Sequence, residues 1–328
     1  MAIHEFGHFI TAKMSGVRVN EFAIGMGPAI LKKQFGETVY SLRLLPFGGF
    51  CAMEGEDSAS DDPRAFGTKN VWKRILIVVA GSVMNLIAGF VVLALVFAPI
   101  ESWYTTTVSS VGDNSASLEE NSLLPGDTVR AIDGYRVHLY SDIFVGISRG
   151  GENGIYDIEV LRNGEKLMLE DVRLYNGTSE EGQGSGNIIK FEIEDSSFFG
   201  KLEYTALNAV NIVRLVKVGL VDLISGSVSK DDISGPVGIG KMMADTAKTS
   251  MSSLWYLLAF LSINLGVMNL LPFPALDGGR LVFLVFELIF RKPVSPKYEG
   301  FIHAAGLILL MLVMVFVTYN DIVKIFIK

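Results

Sequence analysis

The sequence predicts a polytopic α-helical membrane protein into which an α+β domain is inserted. Half of the 328 residues are hydrophobic and the mean hydropathy is +0.40, which is high for a soluble globular protein. The apolar residues concentrate in three uncharged runs at 75–100, 252–276 and 304–320, whereas the stretch 105–175 is charged and alternates polar with apolar residues. A buried helix of a soluble domain explains one such run but not three.

Cysteine usage and net charge exclude several classes of protein. Cys51 is the single cysteine, so an internal disulfide or a thiolate cage is excluded, and we interpret it as a small buried residue. The net charge is −7 and the basic residues are scattered, which makes nucleic acid a poor partner. We find no cleavable signal peptide and no internal repeat.

The first chemical motif is His4-Glu5-Phe6-Gly7-His8. On a helix, residues four apart lie on one face, so His4 and His8 can offer two imidazoles to one metal ion, with Glu5 beside them. This arrangement is typical of zinc hydrolases, in which the glutamate is the general base. The simpler alternative is a helix that happens to carry two histidines. Because only residues 1–3 precede the motif, we expect the native start to lie upstream, or the first span to be truncated.

Residues 9–74 form a basic, glycine-rich segment in which alternating stretches predict short strands, with turns at Gly36 and at Gly48-Gly49. We expect a small membrane-associated β-hairpin region beside the active site. The density of Lys and Arg next to a span predicts a cytoplasmic location. We interpret the acidic stretch 54–62 as a solvated loop.

Within 101–176, the residues Leu123-Leu124-Pro125-Gly126-Asp127, a strand and the turn Asp133-Gly134 resemble a PDZ domain. Such domains bind a peptide as an added strand at a sheet edge. The alternative is a small unrelated β-domain. The region 177–250 is predicted to be a linker followed by an amphipathic helix at 201–226, which lies at the membrane interface and does not cross.

The third apolar element is interrupted by Asn269-Leu270-Leu271-Pro272-Phe273-Pro274-Ala275-Leu276-Asp277-Gly278-Gly279. Two prolines and two glycines break a helix, and an ionisable residue at such a break is a candidate functional group. Asp277 is that residue, unless it only caps the next helix. Together with His4 and His8 it would give zinc two nitrogens and one oxygen and leave a fourth place for water.

These motifs, in this order along nearly the whole chain, resemble the site-2 protease family of intramembrane zinc metalloproteases (peptidase family M50), specifically bacterial members with one PDZ domain. The resemblance implies that His4, His8 and Asp277 are zinc ligands and that Glu5 is the catalytic base. It also implies that Asn269, Pro272 and Pro274 help to hold an unwound substrate. One departure is Gly81-Ser82-Val83-Met84-Asn85, where the family has proline at the second position.

The resemblance further implies the partners and the location. Substrates are expected to be single-span membrane proteins, such as anti-sigma factors already cut by an upstream site-1-type protease, or remnant signal peptides. The enzyme is expected in the lipid bilayer of the inner (cytoplasmic) membrane as a multi-pass protein. Its PDZ domain is expected outside, as a size filter, and its active site toward the cytoplasm. The expected parts are an N-terminal protease core (1–100), the PDZ domain (101–176), linker and interfacial helix (177–250), and a C-terminal core (251–328).

Two competing interpretations remain open at this point. A soluble zinc protease would take its third ligand from Glu21, or from a histidine at the position that Met14 occupies. The second competing interpretation is a PDZ-bearing membrane scaffold with an impaired protease core.

Overall fold

A computed structural model describes residues 1–56, 60–111, 122–150, 154–174, 189–226 and 234–326. The chain divides into two compact units. The first comprises Met1–Val96 together with Ile212–Lys328, and the second comprises Phe97–Asn211.

Among the described residues, three helical segments are long and apolar enough to cross a membrane: Val71–Phe97 (α2), Met251–Asn269 (α6), and Lys297–Lys324 within the helix Pro296–Phe326 (α8). They coincide with the three predicted runs. The other helices of the first unit are α1 (Ala2–Met14), α5 (Pro236–Thr249) and α7 (Asp277–Phe290). Helix α6 ends at Asn269 and α7 begins at Asp277, so the element is broken where prolines and glycines accumulate.

The β-region of the first unit consists of β1 (Val19–Phe35) and β2 (Thr38–Met53), joined by a turn at Gly36. Both strands fold back on themselves, because Glu21 pairs with Val39 and also with Ala52. Gly25, Gly27 and Gly48 make these bends possible with positive φ values, which other residues adopt at a cost. The fold places the last part of β2, residues 49–53, at one edge of the sheet.

Small residues bring the first two helices together. A Cβ atom at Gly7 would lie 2.4 Å from the carbonyl oxygen of Ala80, so α1 and α2 pack with their backbones in close approach. Near this contact, the fully buried residues Ala12, Val19 and Ile77 belong to the apolar core that α1, the sheet and α2 share. The histidine motif is therefore fixed against α2.

The helix α5 lies within a region predicted to be a linker and was not foreseen. Pro236 stands at its first turn, where a missing N–H costs nothing. The buried carboxylate of Asp321 in α8 accepts hydrogen bonds from the backbone N–H groups of Gly235 (3.1 Å) and Gly238 (2.7 Å). These bonds satisfy amides at the start of α5 and attach it to the last helix.

The second unit contains an antiparallel sheet against which the helix Tyr140–Arg149 packs, and it includes the first part of the helix Phe198–Ser225. Its strands run in the order β7-β6-β4-β3-β8, with β5 paired to β4. In chain order the elements are β3 (Ser102–Val111), β4 (Thr128–Ile132), β5 (Tyr135–Arg136), α3 (Tyr140–Arg149), β6 (Ile155–Arg162), β7 (Glu165–Arg173) and β8 (Ile189–Asp195). The core is formed by buried residues such as Val108, Ile132, Ile143, Ile158 and Val160.

The strand β8 corrects the predicted linker at 177–250. It pairs with β3 from Ser102↔Asp195 to Val111↔Ile189 and forms an edge of the sheet. The alternation of Ile189, Phe191 and Ile193 is a strand pattern that the neighbouring Gly- and Ser-rich residues obscure. The remaining helix, α4 (Phe198–Ser225), was predicted at 201–226, and it is not among the described helices with span-like composition.

Candidate metal centre

Three side chains from two distant parts of the chain converge in the first unit. The Nε2 atoms of His4 and His8 lie 3.1 Å apart. The Oδ2 atom of Asp277 lies 3.1 Å from the first and 3.3 Å from the second. In the described part of the chain these three residues form the group of potential metal ligands. One helical turn in α1 supplies both histidines, and the first residue of α7 supplies the carboxylate.

The geometry of these atoms fits a tetrahedral metal. With metal–ligand distances of about 2.0–2.1 Å, two ligand atoms in a tetrahedral zinc site are separated by about 3.3 Å. The Oδ2 atom of Asp277 is buried and accepts no hydrogen bond of acceptable geometry from any described residue. Burial of such an unsatisfied carboxylate oxygen lowers the stability of the folded state unless a cation balances its charge. The residues therefore fit a divalent metal with one coordination place left for another ligand.

The ring of His8 is oriented by the second helix. Its Nδ1 lies 2.8 Å from the carbonyl oxygen of Ile77, to which Nδ1–H donates a hydrogen bond. This bond fixes the proton on Nδ1 and leaves the lone pair of Nε2 facing His4 and Asp277. Histidines that bind metals usually donate such a hydrogen bond from their other ring nitrogen.

Two carboxamides surround His4. Asn85 Nδ2 lies 3.3 Å from His4 Nδ1, and Asn269 Nδ2 lies 3.4 Å from the same atom and 3.3 Å from Nε2. Asn85 is buried in α2, so its polar side chain within an apolar helix has a partner in the site. Sequence reasoning noted Asn85 only as part of a motif. The signal that could have identified it is an amide within an otherwise apolar span.

Gly81 allows α2 to approach both imidazoles. A Cβ atom there would lie 2.3 Å from His8 Nε2 and 2.8 Å from His4 Cε1. Any larger residue would displace the rings. The glycine of the Gly-Ser-Val-Met-Asn motif thus has a steric role at the candidate metal centre, and the next position is occupied by the buried Ser82.

A cavity of about 370 Å³ opens next to the three ligand atoms. Glu5 lines it together with the edge residues of β2, Phe50, Cys51, Ala52 and Met53. The side chain of Glu5 packs close to Gly49, where a Cβ atom would lie 3.2 Å from Glu5 Cγ. Glu5, which follows the candidate ligand His4, therefore lines the same cavity as the edge of the β-sheet. Cys51 is not part of the ligand group, and burial raises the pKa of its thiol, so the thiol stays protonated.

Two charged residues of this cavity were missed. Glu56 lies in the stretch interpreted as a solvated loop, yet its carboxylate accepts a hydrogen bond from Arg280, and both residues line the cavity. Arg280 stands one helical turn after Asp277 on α7, and it also lies 3.8 Å from Glu299. Because Glu56 and Arg280 are far apart in sequence, nothing in the local pattern predicts the pair.

The two prolines of the broken segment lie outside the described cavity lining. Pro274 packs against α8, since a Cβ atom at Gly306 would lie 2.4 Å from Pro274 Cβ. Pro272 is exposed. Asn269, by contrast, reaches the ligand ring of His4.

The alternative third ligands are placed elsewhere. Glu21 accepts hydrogen bonds from Ser41 and Arg43, at 2.6 and 2.7 Å, within the sheet. Met14 ends α1 and is 82% exposed. Neither position supports a soluble zinc-protease site.

The fold and the site define a helical protein with three candidate spans and a group of two histidines and one carboxylate that fits a metal of the hydrolase type. Comparison with known proteins agrees with this class. The model of the family described as Peptidase family M50 matches residues 1–313. The chain therefore belongs to peptidase family M50, which confirms the resemblance drawn from the sequence motifs.

Relatives extend over nearly the whole chain. A Clostridium acetobutylicum protein provisionally named a zinc metalloprotease is 38% identical over 98% of this chain and 93% of its own length. The regulator of sigma-W protease RasP of Bacillus subtilis is 30% identical over 98% of this chain and 95% of its own. The zinc metalloprotease RasP of Shouchella clausii is 31% identical, with 99% and 96% covered.

Proposed function

We propose that this chain is an intramembrane zinc protease that hydrolyses peptide bonds in the membrane-spanning segments of single-span proteins. The observation that carries the proposal is the convergence of His4, His8 and Asp277 within a unit that contains three candidate spans. The zinc metalloprotease names of the relatives support Zn²⁺ as the cofactor. Two imidazoles and one carboxylate, with one place open, are typical of catalytic rather than structural zinc.

Glu5 is assigned as the general base. When bound, zinc supplies a Lewis acid that polarises the scissile carbonyl and lowers the pKa of a coordinated water. The Glu5 carboxylate then takes a proton from the attacking water and returns it to the leaving amide nitrogen. Its position next to His4 and in the same cavity supports this assignment. His8, whose Nδ1–H donates to the Ile77 carbonyl, keeps its Nε2 atom directed at the metal.

The substrate must be extended before water can reach its carbonyl, because a helix keeps its backbone groups hydrogen-bonded. We assign the edge of β2 at residues 49–53 as the surface to which the extended segment is added as a strand. Its residues line the cavity that contains Glu5, which supports this assignment. Following the family resemblance, Asn269, Pro272 and Pro274 are assigned to holding the unwound segment. The break between α6 and α7 supports a non-helical segment there.

The second unit is assigned as a PDZ domain on the outer side of the cytoplasmic membrane, where it excludes substrates with bulky domains. Its antiparallel sheet with α3 packed against it, and the turn at Asp127, support the assignment. The basic residues within 9–74 support a cytoplasmic position for the metal centre. These placements are independent of the chemistry assigned to Glu5.

A substrate of the anti-sigma-factor type, already shortened by an upstream site-1-type protease, follows as a proposal. The name of the Bacillus subtilis relative, a regulator of sigma-W protease, supports it. A shortened substrate is also what a PDZ size filter would admit.

The test is co-expression of a tagged single-span substrate with the wild type, with Glu5→Gln and with Glu21→Gln. Glutamine preserves shape but cannot accept the proton, so Glu5→Gln should give no cleavage product. Glu21→Gln should cleave like the wild type, since that carboxylate lies in the sheet. Equal cleavage by Glu5→Gln would refute the assignment, and no cleavage by any version would favour a non-enzymatic scaffold.

A further inference from the structure

We propose that His303 in α8 is a positioning residue for the metal centre, acting through the backbone of Ala275 on Asp277. The inference rests on the proposed function, because it takes Asp277 as a zinc ligand. Its basis is a single contact between two distant elements. The backbone N–H of Ala275 donates a hydrogen bond of 2.9 Å to Nδ1 of His303.

The segment between α6 and α7 has few ways to satisfy its own backbone. Pro272 and Pro274 have no N–H, and the N–H groups of Phe273 and Leu276 bond locally to Leu271 and Phe273. The amide of Ala275 instead finds its acceptor on another helix. In a bilayer, lipid offers no substitute for that acceptor. His303 therefore supplies an interaction that the segment cannot make by itself.

The conformation of Ala275 explains why the contact affects geometry. Its φ is +74°, in the left-handed region that alanine rarely adopts. Asp277 lies two residues later and is the first residue of α7. The dihedral angles of Ala275 thus set the direction in which the chain enters α7 and carries the carboxylate to His4 and His8. Loss of the hydrogen bond would let Ala275 return to its preferred negative φ.

The surrounding packing holds the imidazole in place. Phe283 of α7 contacts the His303 ring edge to face, with 5.7 Å between ring centres. One turn along α8, Gly306 lets the helix approach Pro274 so closely that a Cβ atom would lie 2.4 Å from it. The same face of α8 therefore contacts two successive residues of the segment.

Three substitutions separate the hydrogen bond from the ring. In His303→Asn, the side-chain oxygen can occupy the place of Nδ1 and accept the bond. In His303→Gln, the acceptor moves to the place of Nε2, and in His303→Phe the ring remains without an acceptor. We expect the order of zinc affinity to be wild type, then Asn, then Gln and Phe.

The assay measures zinc affinity of the full-length chain in detergent by competition with a chromophoric chelator, with Asp277→Ala as the reference for a lost ligand. Outer-shell partners of metal ligands are worth about 10- to 100-fold in affinity, so His303→Phe should bind zinc more weakly by that factor. The visible absorption of bound Co²⁺ should change in His303→Phe and be retained in His303→Asn. Circular dichroism controls for folding.

A second variant tests the same step from the backbone side. Glycine adopts positive φ freely. The double variant Ala275→Gly/His303→Phe should therefore recover part of the zinc affinity that His303→Phe alone loses. Unchanged affinity in His303→Phe, or equal losses in His303→Asn and His303→Phe, would overturn the inference. A wild type that binds zinc no better than Asp277→Ala would instead overturn the proposed function.

Discussion

The glycine at the metal centre offers a sharp structural test. Adding a single methyl group in Gly81→Ala places a Cβ atom 2.3 Å from His8 Nε2, whereas ordinary contacts begin at 3.4 Å. The ring must therefore move by about 1 Å, while metal–ligand distances tolerate about 0.2 Å. The movement removes His8 from the ligand set or separates α1 from α2. We expect zinc affinity to fall by more than the roughly 10- to 100-fold effect of an outer-shell residue.

The matched control is Gly240→Ala, which adds the same methyl group to α5 with no described atom within 4 Å. Zinc affinity and cleavage of a tagged single-span substrate are measured for both variants and the wild type. Overpacking should also lower the stability of Gly81→Ala by about 1–3 kcal/mol, which thermal unfolding measures. If Gly81→Ala binds zinc as tightly as Gly240→Ala, the placement of α2 against the two imidazoles is wrong.

Further expectations concern the metal, the sheets and the ion pairs. Chelation should abolish cleavage and lower the melting temperature, because zinc binds only the folded site. Readdition of zinc should restore both, whereas activity that survives chelation would contradict the proposed zinc site. Arg162 donates two hydrogen bonds of 2.8 Å to the buried carboxylate of Asp127. Because Arg162→Ala leaves that carboxylate without its charged partner, it should destabilise the second unit by about 3–5 kcal/mol without changing zinc affinity. Burial opposes ionisation of Glu21, but bonds from Ser41 and Arg43 outweigh it and lower the pKa of this carboxyl. Its contribution to stability is therefore complete above the unfolded pKa of about 4.3 and is lost as the pH falls from there through the lower folded pKa. Glu21→Gln should lack this loss in thermal unfolding measured from about pH 6 down to about pH 2.

The parts of this protein that sequence predicts are those fixed by local spacing. The four-residue separation of His4 and His8 requires a shared helix face, and the accumulation of proline and glycine before Asp277 requires a helix break. The three apolar runs predict the candidate spans because length and composition decide them. These features need no knowledge of what packs against them.

The features that sequence did not predict depend on distant partners. The local sequence predicts a polar loop at Glu56, whereas the fold places Arg280 of α7 within hydrogen-bond distance of its carboxylate. The helix α5 lies within the predicted linker region, and the amides at its start are satisfied by Asp321, more than eighty residues away. The strand β8 is hidden by its Gly- and Ser-rich neighbours and becomes a strand because β3 offers a free edge. In each case tertiary contacts override the local pattern.

The family resemblance predicted a zinc protease, and its ligand set can be tested without any substrate. The most direct measurement is the zinc content of the purified full-length chain after dialysis, compared among the wild type, Asp277→Ala and Glu21→Ala. The geometry predicts one zinc per chain in the wild type and in Glu21→Ala, and none retained by Asp277→Ala. Full zinc retention by Asp277→Ala, or loss of zinc from Glu21→Ala alone, would contradict the assignment of Asp277 as the third ligand.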